Sequence, residues 1–156
     1  MKTLEMYNNI IAALCVWREA RGEIAMAKLL VAVSIVNRAK DLKRWPNTLA
    51  GVVLQPKQFS SFNIGDPNAS KVPALNDASF VSCCTMVDCA LAEVSGIASR
   101  VQELDVELRT LLRSCGYVNK SMLETNHYHD DSIEPPSWTK GMQYLGKVGK
   151  LLFYKG

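Results

Sequence analysis

Arg18-Glu19-Ala20-Arg21-Gly22-Glu23 sets two carboxylates four residues apart, around what the apolar spacing predicts to be a helix boundary. Their expected environments differ. Glu19 falls in the last turn of the first helix, where the negative end of the dipole disfavours a charged carboxylate. Partial burial beside Trp17 or a facing aromatic would push its pKa up further. A carboxylic acid that keeps its proton near neutral pH is what protonation of a glycosidic oxygen needs. Arg18 and Arg21 oppose that shift if they point the same way, and the sequence leaves their direction open. Glu23 opens the second helix, where the dipole and free amides favour its ionised form. Glu19 is therefore read as the acid and Glu23 as structural. A plain surface charge is the ordinary alternative for a Glu near a helix end.

His127-Tyr128-His129 forms a second group. In a strand both His share a face, and imidazoles suit zinc. No third ligand stands at a convincing spacing and no His-Glu-x-x-His motif is present, so neither metal nor cofactor is expected. Gln58-Phe59-Ser60 reads as extended, with Gln58 and Ser60 on one face and Phe59 on the other. Trp138, after Pro135-Pro136, either stacks on a sugar ring or packs structurally. The cysteines Cys15, Cys83, Cys84, Cys89 and Cys115 are odd in number and irregularly spaced, mostly among apolar helical neighbours. They read as small hydrophobes kept as reduced thiols, not as a disulfide framework.

The elements that must hold these residues follow from the apolar spacing. Ile10, Ile11, Leu14, Cys15 and Trp17 predict a helix over about 4–21, stopped by Gly22. Residues 23–39 are apolar nearly all round, which predicts a helix at the centre of the domain. Trp45-Pro46-Asn47-Thr48 reads as a turn in which Asn47 or Thr48 caps a short helix ending near Leu54. Residues 55–63 are expected to be extended and 65–73 a loop. A helix over 77–95 is expected to bury Phe80, Cys84, Val87, Leu91 and Val94. A further amphipathic helix is expected over 101–112, and short strands or irregular chain from 116 onward.

The 156 residues, without repeats or an interdomain linker, suggest one domain over 1–156. A net charge of +3 and pI of about 8.6 favour anionic polymers, wall material or nucleic acid. The basic residues are scattered, so no nucleic-acid patch is expected. The apolar segment 24–36 contains Lys28 and Ser34 and is too short to span a bilayer. Glu5, Asn8 and Asn9 interrupt the N-terminal stretch, so no signal peptide is expected.

Several blocks, taken in order, resemble the cell-wall hydrolase family typified by the spore-cortex-lytic enzymes SleB and CwlJ, which also includes phage endolysins. They are WREARGE at 17–23, AKLLVAVSIVNRAK at 27–40, RWPNTLAGVVLQPKQFSSF at 44–62, NHYH at 126–129, PPSW at 135–138 and VGKLLFY at 148–154. Two departures stand out. Leu151 occupies the place of a family His, and 97–120 is longer than the usual link, as if a helix were inserted.

The resemblance implies a lysozyme-like fold, mainly helical (α+β), with a small β-element beside the cleft. It implies cleavage of peptidoglycan between N-acetylmuramic acid and N-acetylglucosamine, with Glu19 serving as both acid and base and a 1,6-anhydro product, as in lytic transglycosylases. An ordinary glycosidase needs a second carboxylate, roughly 5 Å away if retaining and about 6.5–9.5 Å if inverting. Asp66, Asp130 and Asp131 are the available candidates, and none has a strong motif around it. Gln58, Ser60, Asn126, His127, Tyr128, His129 and Trp138 become the expected substrate contacts, with Tyr128 a candidate partner for the reacting sugar. The implied biology is a monomeric phage endolysin, made in the host cytoplasm and reaching the wall through a holin lesion, without stable membrane insertion. The rival readings are a zinc amidase or peptidase using His127 and His129, and a non-catalytic wall-binding homologue.

Overall fold

A computed structural model describes residues 3–74, 76–95 and 120–156 of the chain. Two long helices come first, α1 (Thr3–Ala20) and α2 (Ala25–Lys40), followed by a short α3 (Leu49–Leu54) and a long α4 (Ala78–Ser95). An antiparallel sheet follows, with β1 (His127–Asp130), β2 (Gln143–Val148) and β3 (Leu151–Lys155) in the order β1-β3-β2. Short 3-10 turns lie at Ser60–Phe62, Lys120–Glu124 and Ser137–Thr139. The architecture is mainly helical with a small β-element, as the sequence implied. The helix expected over 101–112 and Cys115 lie outside the described residues.

Helix α2 runs through the centre because every residue from Leu29 to Val36 is buried. Its one hydroxyl in that stretch, on Ser34, donates to the Val31 carbonyl at 2.7 Å, so burial orphans no polar group. Helix α1 lays Ala12, Ala13, Cys15, Val16 and Ala20 on the core. Thr48, not Asn47, caps α3, its side chain accepting from the Gly51 N–H at 3.0 Å. The buried seam of α4 is Cys83, Met86, Val87, Cys89, Ala90 and Ala92. The expected face was turned from this: Val87 is in the seam, while Phe80, Cys84, Leu91 and Val94 form a partly buried flank. Burial pushes the Cys83 and Cys89 thiols up to about 11, in keeping with cysteines that pack and do not react.

The sheet is fastened to the helices at two places. In the last turn of α2, Asn37 Nδ2 donates to the carbonyls of Leu123 (2.8 Å) and Thr125 (2.7 Å). Arg38 Nε donates to the Asn126 carbonyl at 2.7 Å. At the other end of the sheet, Glu23 Oε2 accepts from the Lys150 N–H at 3.1 Å, in the turn between β2 and β3. Glu23 is thus structural, though it caps the hairpin turn and not α2. Gly149 makes this approach possible: its φ is +59°, and a side chain there would collide with Glu23 Oε2. No described helix is long and apolar enough to cross a membrane.

Candidate active site

Glu19 sits in the last turn of α1, half-buried between the fully packed Val16 and Ala20. Its carboxylate accepts three hydrogen bonds. Ser61 Oγ reaches Oε1 at 2.5 Å and the Ser61 N–H reaches the same oxygen at 3.3 Å. Tyr128 Oη donates to Oε2 at 3.2 Å. The segment supplying Ser61 is not the expected strand. Phe59 is buried as an anchor, and the 3-10 turn Ser60–Phe62 then swings Ser61 inward and leaves Ser60 exposed. The residue in contact with Glu19 is therefore Ser61, and Ser60, expected as a substrate contact, is its exposed neighbour.

The flanking arginines are bonded to groups other than the carboxylate. Arg18 donates to the carbonyls of Lys71 (3.1 Å) and Ser61 (3.2 Å) and lies 4.5 Å over the Phe62 ring. Arg21 donates to Asn68 Oδ1 at 3.2 Å and lies 4.8 Å over the Trp17 ring. Glu19 makes no ion pair with any described residue. Tyr128 is half-buried against Phe153, ring centroids 5.9 Å apart. Burial, and then the Glu19 charge, push its hydroxyl well above the ordinary range, so it stays an O–H donor.

Arg38 is the further residue that sequence reasoning passed over. It is 5% exposed, and besides the Asn126 carbonyl it donates to Gln58 Oε1 at 3.4 Å. Its guanidinium lies 5.0 Å from the Phe59 ring and 5.5 Å from that of Trp45. Burial lowers its pKa from the usual arginine range. The only signal for it was the Asn37-Arg38 pair ending an otherwise apolar helix.

The other expected site residues divide between the two faces of β1. Tyr128 faces Glu19, whereas His127 and His129 both lie against Trp138, with centroids 5.4 and 5.8 Å away. His129 is buried, its ring nitrogens hydrogen-bonded to the Asp130 carbonyl (2.8 Å) and Tyr154 Oη (3.1 Å). Asn126 is also buried, its amide committed to Gly156 and His127. Trp138 is half-buried in an aromatic group with Tyr154. Among the described residues no three His, Cys, Asp or Glu are grouped to hold a metal ion. The carboxylates considered as second catalytic groups are engaged elsewhere. Asp66 accepts from the Asn68 N–H, Asp130 from the Ser132 N–H, and Asp131 pairs with Lys147 at 2.7 Å.

This combination, a carboxylate at the end of a buried-helix bundle with a three-stranded sheet against it, is a lysozyme-like α+β fold. Two solved structures share it. The catalytic domain of SleB from Bacillus cereus superposes with a TM-score of 0.61 at 21% identity, covering 96% of this chain and 91% of that one. The catalytic domain of the germination-specific lytic transglycosylase SleB from Bacillus anthracis gives 0.60 at 21% identity, covering 95% and 94%. A search of curated protein sequences finds no match. The sequence profile of the cell wall hydrolase family matches residues 22–154, and the chain belongs to that family. The matched span opens just after Glu19, so the case for that residue rests on its own geometry.

Proposed function

We propose that this chain cuts the glycan strand of peptidoglycan between N-acetylmuramic acid and N-acetylglucosamine as a lytic transglycosylase. Membership of the cell wall hydrolase family supports the substrate, and the likeness to a SleB described as a lytic transglycosylase supports the reaction. The observation that carries the reading is the Glu19 carboxylate, free of ion pairs with described residues and held by two hydroxyls. In its acid form Glu19 gives its proton to the glycosidic oxygen as the C1–O bond breaks, leaving positive charge on C1 and the ring oxygen. The resulting carboxylate takes the proton of the muramic acid 6-hydroxyl, and O6 closes on C1 to form the 1,6-anhydro end. Ser61 and Tyr128 can each donate to the carboxylate or accept from the acid, so they can orient Glu19 in both forms. No water and no second carboxylate enters. The biological role we attach to it, an endolysin let through to the wall by a holin, follows the resemblance to a family that includes phage endolysins.

The test is digestion of purified sacculi by wild type and Glu19→Gln, with mass spectrometry of the soluble products. The expected result is anhydro-muropeptides, lighter by one water than hydrolytic ones, from wild type and none from the variant. Full activity of Glu19→Gln would remove the assignment, and hydrated ends would replace transglycosylation with hydrolysis.

A further inference from the structure

On the far side of β1 from Tyr128, the free hydrogen-bonding atoms of two half-buried residues, His127 and Gln58, are fixed by their neighbours. Asn126 Nδ2 donates to the Gly156 carbonyl at 2.9 Å, and Asn126 Oδ1 accepts from the Gly156 N–H at 3.0 Å. That fixes the amide, and Oδ1 also faces His127 Nδ1 at 2.8 Å. An amide oxygen only accepts, so Nδ1 carries the proton and Nε2 of the neutral ring is a bare acceptor. Burial, and then the charges of Arg38 and Arg44, bring His127 down to about 4, so the ring is neutral above that pH. Nε2 has no hydrogen-bond partner among the described residues and is not sealed from solvent. Gln58 is fixed in the opposite sense. Its Oε1 accepts from Trp45 Nε1 and Arg38 Nη1, both at 3.4 Å, so its amide nitrogen turns away with two N–H donors and no described acceptor. The Trp45 indole links the two, bonded to Gln58 and 5.7 Å from the His127 ring, and it carries the Arg44 guanidinium 4.4 Å over its own ring.

One acceptor, one donor and an indole surface complement an acetamido group, which offers an N–H, a carbonyl and a methyl. We propose that Trp45, Gln58 and His127 form a binding subsite for the 2-acetamido group of an amino sugar. His127 Nε2 accepts from the sugar N–H, Gln58 Nε2 donates to the carbonyl, and Trp45 takes the methyl. A peptide amide has the same polar pair, but Trp138, 5.4 Å from His127, adds aromatic surface of the kind a pyranose ring stacks on. The chain from Gln58 to Ser61 links the subsite to Glu19, since Ser61 holds the Glu19 carboxylate. It depends on the glycan-cleaving reading only for where the sugar comes from.

The test is titration of the full chain with triacetylchitotriose and with cellotriose, which lacks the acetamido groups, followed by tryptophan fluorescence. Wild type should prefer the acetylated trimer by roughly tenfold or more, the worth of one or two hydrogen bonds. Gln58→Glu keeps an oxygen for Trp45 and Arg38 and replaces the N–H donors with a charged oxygen that only accepts. His127→Phe removes the acceptor. Each variant, checked for its fold by circular dichroism, should lose the preference. A preference absent from wild type, or surviving in either variant, overturns the subsite. So does equal binding of a short alanine peptide, which would give the group to stem peptides. Sacculus digestion by wild type is followed in parallel. Its failure would overturn the cleavage reading while the sugar preference stands, and intact digestion without a preference would overturn the subsite alone.

Discussion

Ser61 and Glu19, forty-two residues apart in sequence, share one carboxylate oxygen: both the hydroxyl and the backbone N–H of Ser61 point at Oε1. The backbone bond would survive substitution of the side chain, so the hydroxyl can be tested alone. Ser61→Ala should lower turnover on sacculi by roughly ten- to a hundredfold through misplacement of the acid. Ser61→Thr, which keeps the hydroxyl, should recover most of it. The rate of turbidity loss in a sacculus suspension checks both, and an unimpaired Ser61→Ala would exclude an orienting role.

Tyr128→Phe keeps the ring against Phe153 and removes the hydroxyl that reaches Glu19 Oε2. Stability should change by only about 1 kcal/mol, the net worth of one hydrogen bond. Activity should fall far more than that. Chemical denaturation beside muropeptide release separates the two effects; a loss of stability matching the loss of activity would make Tyr128 merely structural.

His127 gives a pH dependence with a definite sign. Its value in the fold is about 4, against an ordinary 6.5, because of burial and the facing Arg38 and Arg44 charges. Between those values the unfolded chain binds more protons, so stability should fall as pH drops through that window and be unaffected by this group above it. The His127→Phe variant should show a shallower slope there in urea midpoints measured across pH, relative to wild type. Parallel slopes would mean the imidazole is not held neutral.

Gly149→Ala forces a side chain into a φ of +59° and against Glu23 Oε2. A cost of roughly 1–3 kcal/mol follows from backbone strain alone. Glu23→Ala removes the atom in the way, so the double variant should lose less than the sum of the singles. Additive losses in thermal melts would mean the two residues do not meet.

Much of this architecture can be read from residue spacing, and the exceptions have physical causes. The bounds of α1 and α2 follow from long apolar repeats, and the α3 cap from Thr48 preceding an apolar run. The Ser61 contact could not be read the same way. Gln58-Phe59-Ser60 alternates as a strand does, but three residues cannot distinguish a strand from chain leading into a 3-10 turn, and the turn shifts the inward hydroxyl by one position. The face of α4 differs for a related reason, since cysteine and alanine weigh little in a hydrophobic pattern yet Cys83, Cys89 and Ala90 are among its most buried residues. Arg38 had only the Asn37-Arg38 pair at the helix end to mark it. Its burial comes from Phe59, Trp45 and Asn126, which lie far along the chain, and no local pattern distinguishes it from a solvated cation closing a helix.

The grip of Asn37 and Arg38 on the segment from Leu123 to Asn126 has a thermal corollary. The strand bearing Tyr128 is short and paired on one side only, with β3, and the segment leading into it is tied to the central helix by three side-chain bonds. Warming should loosen the sheet first. Lytic power would then vanish at a temperature where the helical circular-dichroism signal is still intact, and Asn37→Ala should widen that gap.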